Sequence, residues 1–292
     1  MPGRKQLPGL VCLLCLPVCS CTGEPRAPAA PAPPAAVEAG TFFDPSTAGT
    51  IEGRVTWIGE PPTIPLLRGW TDVASEGIPA KKHEEPNPNA PRIDPVSGGI
   101  GNAVVFLRGV DPRRGRPWDL PPVRVQQRDY RLLVQQGDAA DRDGFVRRGD
   151  RIEMVSTGPV FHVLHATGAA YFSLAFPEPD RPRSHSLDRP GVVELASGAG
   201  YFWMRAYLFV DDHPYYTPSD ALGRFRLPQV PPGRYEVVCW LPDWHEAGHD
   251  RDPETSLVVR VKYRPPVEHV QALEVGPNRT EAVQFTWGLK DF

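Results

Sequence analysis

Hydrophobic and polar residues alternate in short runs along most of the chain. In Ile51-Glu52-Gly53-Arg54-Val55-Thr56-Trp57 the apolar side chains of Ile51, Val55 and Trp57 fall on one face of an extended strand. Asn102-Ala103-Val104-Val105-Phe106-Leu107 is instead a compact apolar run, ending at Gly109. Further short segments follow at 122–134, 145–155, 160–165, 171–176, 192–195 and 204–210. Beyond His213 come Gly223 to Leu227 and Arg234 to Trp240, joined by the turn Pro231-Pro232-Gly233, then 257–261 and 282–286. Gly, Asp and Pro punctuate these segments about every 10 residues, a spacing that favours β-sandwiches over alternating βα units. No amphipathic helix longer than about ten residues is visible, and there is no internal repeat.

Composition points the same way. The 292 residues include 36 Pro and 27 Gly. Pro lacks a backbone donor and Gly costs about 1 kcal/mol inside a helix, so long helices are disfavoured. Hydrophobic residues make up 40%, enough for a buried core. With 32 Lys+Arg against 35 Asp+Glu the net charge is −3, without the basic surplus of a nucleic-acid binder. The length suggests roughly two domains.

The N-terminus has a secretory layout. Arg4 and Lys5 precede Leu10-Val11-Cys12-Leu13-Leu14-Cys15-Leu16. That run is too short for a membrane span, which takes about 20 residues. Val18-Cys19-Ser20-Cys21 resembles a bacterial lipobox. The resemblance implies lipidation at Cys21, secretion across the inner membrane, and a membrane-anchored lipoprotein of the cell envelope or periplasm. Residues 22–45 are Pro/Ala-rich and read as an extended tether. Four of the five cysteines lie in the signal segment, leaving Cys239 alone in the folded part. An internal disulfide or a Cys-rich zinc site is thereby ruled out there. Residues 59–100 carry many prolines and the polar run Lys81-Lys82-His83-Glu84-Glu85, and read as a long solvated loop.

Two groups of residues resemble known families. The segments Ile51-Glu52-Gly53-Arg54-Val55 and Gly101-Asn102-Ala103-Val104-Val105-Phe106-Leu107 resemble the opening strands of a carboxypeptidase-regulatory-like (prealbumin-like) domain. Asp220-Ala221-Leu222-Gly223-Arg224-Phe225-Arg226-Leu227 with Val230-Pro231-Pro232-Gly233-Arg234-Tyr235 resembles its closing half. That family implies a non-catalytic β-sandwich used as a stalk or binding module. Between these halves, Arg148-Gly149-Asp150-Arg151-Ile152-Glu153-Met154, Phe161-His162-Val163-Leu164-His165, Tyr201-Phe202-Trp203-Met204-Arg205-Ala206-Tyr207 and Asp212-His213-Pro214-Tyr215-Tyr216 resemble a plastocyanin-like (cupredoxin) domain of the methylamine-utilisation type.

The cupredoxin resemblance implies a type 1 copper site, which needs two His, a Cys thiolate and usually a weak axial Met. Carried over from Met204 by the family's three-residue spacing, the second His position is Tyr201 and the thiolate position is Gly198. His162 matches the first His. Two of the four ligands are absent, so the resemblance extends to the fold and not to the redox role. On a strand His162 and His165 point to opposite faces, which separates them as joint ligands.

His245-Glu246-Ala247-Gly248-His249 satisfies the H-E-x-x-H spacing, which on a helix sets two His toward one zinc. Pro242, Pro253 and Gly248 oppose such a helix, so an exposed loop is expected, with His245 and His249 as a weak metal pair. The carboxylates Asp211-Asp212 and Asp141/Asp143 read as turn residues. The aromatics Phe202, Tyr215, Tyr216, Trp240 and Trp244 read mostly as packing residues, with sugar stacking as their functional alternative.

The expected architecture is therefore all-β. It comprises a signal peptide at 1–21, a tether at 22–45, first strands of a regulatory-like sandwich at 46–121, a cupredoxin-like Greek-key sandwich at 122–212, and the second half of the regulatory-like sandwich at 213–292. The expected function is a non-enzymatic, membrane-tethered binding or structural module for a protein or carbohydrate ligand, without cofactor and without nucleic acid. The alternative is a metal-binding protein, either a divergent copper electron carrier or an H-E-x-x-H zinc hydrolase.

Overall fold

The computed structural model describes residues 42–71 and 79–292. The expected signal segment, Cys21 and the expected tether as far as residue 41 lie outside the described residues. The chain is all-β: the described residues form 23 strands and one short 3₁₀ turn at Leu289–Asp291. No helix among the described residues is long and apolar enough to cross a membrane.

Two sandwiches account for most of the strands. In the first, a three-stranded sheet runs in the order Arg224–Val230, Gly49–Trp57, Thr280–Trp287. It faces a four-stranded sheet of Tyr216–Pro218, Val104–Arg108, Gly233–Leu241 and Val267–Val275. Ile51, Val55, Leu107, Val237, Cys239 and Phe285 are among the side chains buried between them. Gly223 enters the strand Arg224–Val230 from a turn at φ 80°, where a Cβ would strike the carbonyl of Val55. Only glycine suits that combination of left-handed backbone and close approach.

The second sandwich is built from residues 123–211. One five-stranded sheet orders Asp143–Arg147, Arg205–Asp211, Gly191–Ser197, His162–Gly168 and Phe172–Phe176. The other orders Arg183–Ser186, Arg151–Ser156, Val123–Arg128, Arg131–Gln136 and Ala139–Asp141. Each sheet contains one parallel pair. Val125, Val134, Met154, Leu164, Leu195 and Leu208 fill the space between the sheets.

A third apolar layer joins the sandwiches. Val104, Phe106, Val238 and Trp240 on the outer face of the four-stranded sheet meet Phe145, Tyr207 and Phe209 of the neighbouring five-stranded sheet. Phe209 and Trp240 meet edge to face at 5.0 Å, and Phe106 stacks on Tyr216 at 5.0 Å. The middle strands are thus buried on both faces. In Arg205–Asp211, Ala206, Leu208 and Val210 point into the second sandwich while Tyr207 and Phe209 point into the junction. This explains why such strands read as unbroken apolar runs.

Three expectations change. Lys81–Glu85 is not a loop: it pairs antiparallel with Leu67–Thr71. Glu246–Arg251 is also a strand, paired with Val258–Tyr263 through a bulge between Glu246 and Gly248. Asp143 is no solvated turn residue: its side chain is 4% exposed beside the guanidinium of Arg142.

Candidate functional site

The segment Tyr201–Arg205 organises one end of the second sandwich. Two-stranded ribbons are marginal on their own and need a surface to pack on. Trp203 provides one. It is buried, its indole N–H donates to the Tyr130 carbonyl at 3.0 Å, and His83 stacks on it at 4.7 Å. Gly69 of the paired strand has no side chain because the Trp203 indole occupies that space. Arg205 fastens the other ribbon. Its guanidinium donates to the Val261 carbonyl and lies 4.6 Å from the centroid of the Tyr263 ring.

Between the two ribbons runs an open cleft in two adjoining parts, sharing Arg68, Phe202, Arg251 and Val258. One part, about 580 Å³, is walled by Ile64, Leu66, Trp244, His245 and His249. The other, about 350 Å³, is walled by Trp70, Tyr201, Asp252 and Thr255. Trp70 is 41% exposed and Leu66 49%, although both are large and apolar. The Lys82 ammonium lies 5.9 Å from the Trp70 ring centroid, leaving part of the indole to solvent.

The positions matched to copper ligands do not converge. His162 is buried, with rings of Tyr201 at 5.5 Å and Tyr130 at 6.2 Å edge-on to it. Burial holds its pKa below the ordinary histidine value, and Nδ1 has no hydrogen-bond partner. Met204 is buried in the same core, and its backbone N–H donates to the Tyr201 carbonyl at 2.9 Å. Gly198 lies elsewhere. The register pairs Leu164 with Ser197, so residue 198 falls opposite Val163, on the outer face with His165. A Cβ at 198 would meet the His165 imidazole and Val163 Cγ1. The inward residue at this strand end is Ser197, whose hydroxyl accepts from the Ala199 N–H at 3.1 Å. A thiolate at 198 would therefore face away from His162.

His245 and His249 are not one helical turn apart. In an extended strand four residues advance about 13 Å, against about 6 Å in a helix. His245 is held by Asp243, its Nδ1 2.7 Å from Oδ1. No group of three or more His, Cys, Asp or Glu suited to a metal occurs among the described residues. Cys239 is fully buried in the first sandwich, and burial pushes its thiol up to about 12. A thiol so protonated is a poor nucleophile and a poor metal ligand.

Reading the sequence missed the anchoring roles of Trp203 and Arg205 and the exposed Trp70. Trp70 stands three residues after the buried Leu67, on the opposite face of the strand, and that placement was the available signal.

No protein-family model matches the chain, and no curated protein is similar to it. Among solved structures it is similar to the reduced state of an amicyanin mutant, at 15% identity over 30% of this chain and 81% of that one, with a TM-score of 0.25. It is likewise similar to an oxidized amicyanin mutant, at 14% identity, 30% and 81% coverage and a TM-score of 0.25. A third mutant, as its Cu(I) form, matches at 12% identity over 36% of this chain and 97% of that one, again at 0.25. This likeness is weak and confined to part of the fold.

Proposed function

We propose that this chain is a non-enzymatic carbohydrate-binding module of the cell envelope, held to the membrane through a lipid on Cys21. Its ligand lies in the cleft between the two ribbons. The observation that carries this reading is the exposed Trp70 set beside Arg68, Arg251 and Asp252 in one cleft. A pyranose ring presents an apolar C–H face, which stacks on an indole, and an edge of hydroxyls. Planar polar side chains such as guanidinium and carboxylate hydrogen-bond that edge in pairs. A few polar groups in a mostly apolar cleft match the usual construction of a small-molecule site. The resemblance of residues 51–55, 101–107 and 220–235 to regulatory-like stalk domains agrees with a binding role.

Titration of the purified chain with neutral oligosaccharides, followed by tryptophan fluorescence and calorimetry, tests the reading. Saturable binding that is lost in Trp70→Ala is expected. A protein ligand would instead leave every oligosaccharide unbound. The anchor is tested separately, by metabolic labelling with a fatty acid in a bacterial host, which Cys21→Ala must abolish.

A further inference from the structure

A separate cavity of about 440 Å³ lies between the proline-rich segment 86–91 and the strand Arg131–Gln136. Four arginines line it, Arg92, Arg131, Arg142 and Arg205. Only two carboxylates, Glu85 and Asp141, line it with them. Asp143 and Glu194, which pair with Arg142 and Arg205, are not part of the lining.

Each guanidinium has five N–H donors in a planar fork. Arg92 places two of its nitrogens on Asp141, both at 2.7 Å. Arg131 uses only Nε, toward Glu85, and leaves both terminal amino groups over. Arg142 directs Nε to Asp143 and Nη1 to the Pro88 carbonyl, leaving Nη2. Arg205 directs Nη1 to Glu194 and Nη2 to the Val261 carbonyl, while its buried Nε has no partner. The side chains of Arg142 and Arg205 are 7% and 4% exposed. Buried cations with unsatisfied donors are costly, and a structure that keeps them has a use for the donors.

The carboxylate behind Arg142 is itself weakened. Burial pushes Asp143 up to about 6, and its Oδ1 has no partner. Only its Oδ2 reaches Arg142, at 3.3 Å, so the ion pair behind Arg142 is a loose one.

We infer that this cavity is a binding site for an anionic group, phosphate or carboxylate, carried by a small ligand. Guanidinium forks match both groups in geometry and charge. The volume lies within the usual range for small-ligand sites. The inference does not depend on the carbohydrate reading of the cleft, since neither Trp70 nor Arg251 lines this cavity.

Calorimetric titration of the purified full chain with inorganic phosphate and with glucuronate, at constant ionic strength in chloride, is the test. Saturable binding of at least one, with one site per chain, is expected, and glucose as the uncharged control does not bind here. Whichever anion binds more tightly identifies the preferred group. Arg142 and Arg205 are too buried for clean variants, so Arg131, 61% exposed, is the position to change. Arg131→Gln weakens binding by about tenfold or more, the usual worth of a charge-assisted hydrogen bond. Trp70→Ala leaves anion binding unchanged. Failure of both anions to bind, or equal binding by Arg131→Gln and the unaltered chain, overturns the inference and reduces the four arginines to ion-pair partners.

Discussion

Gly198 packs against the imidazole of His165, on the opposite side of the sheet from His162. The cupredoxin resemblance implies that the thiolate position is 198, occupied here by glycine, but the strand register turns that position outward. Gly198→Cys is therefore expected to fold and to remain colourless with Cu(II), without the intense band near about 600 nm of a Cys–copper bond. The two nearest obstructing atoms belong to the far end of the exposed His165 side chain, with Val163 Cγ1 beside them at 3.0 Å, so the stability loss is about 1–2 kcal/mol. Absorption spectroscopy of the copper-loaded variant checks this. A blue species would mean that residues 197–201 adopt a different register.

The sandwiches share the aromatic layer around Trp240, which contacts Tyr207 and Phe209, both at 5.0 Å. Such pairs add about 0.5–1.5 kcal/mol each beyond the burial of their surface. The unaltered chain should unfold in one calorimetric transition. Trp240→Ala, which opens a cavity at the joint, should lower stability by about 3–5 kcal/mol and resolve two transitions. Two transitions in the unaltered chain would show that the layer does not couple the sandwiches.

Parts of this architecture are legible in the residues, and the reason is local. Val104-Val105-Phe106-Leu107 and Ala206 to Val210 are apolar at every position because both faces are covered, one by a sandwich core and one by the junction. The turn at Gly223 carries its own signal in a left-handed glycine. Other parts depend on distant partners. Lys81–Glu85 looks solvated in sequence, and it is a strand because it pairs with Leu67–Thr71 and stacks His83 on Trp203. The spacing of His245 and His249 is the same in a helix or a strand, and pairing with Val258–Tyr263 decides for the strand. The arginine-lined cavity draws on residues from 85 to 205, which no local pattern brings together.

His162 makes stability depend on pH. Burial lowers its pKa from the ordinary 6.5, so below that value the unfolded chain takes the proton first. The unfolded state then binds more protons, and stability falls as pH drops from 6.5 toward the native pKa. One such group changes stability by at most about 1.4 kcal/mol per pH unit. His213 shifts in the same direction by burial, and Asp143, raised to about 6, acts in the opposite one. The contribution of His162 is isolated by comparison with His162→Phe, whose ring suits the space between Tyr130 and Tyr201. Urea unfolding from pH 7 to pH 5 should show a shallower loss for the variant. Parallel curves would mean that His162 is protonated in the folded chain.

Gly69 and Trp203 offer the sharpest test of how the cleft is held. A Cβ at 69 would run into the Trp203 indole, with Cη2 at 3.1 Å and another ring carbon closer still. The indole cannot yield easily, because it is buried, stacked by His83 and hydrogen-bonded to the Tyr130 carbonyl. Overpacking of this kind costs about 1–3 kcal/mol. A peripheral ribbon can relieve that cost by lifting away, leaving the sandwich intact. Gly69→Ala should therefore speed amide exchange in Leu67–Thr71 and Lys81–Glu85 by about ten- to a hundredfold while His162–Gly168 keeps its protection. Oligosaccharide binding should weaken in parallel, since Arg68 and Trp70 sit on the displaced strand. Unchanged exchange in both strands would show that Trp203 does not fasten the ribbon. Faster exchange with undiminished binding would place the carbohydrate outside the cleft.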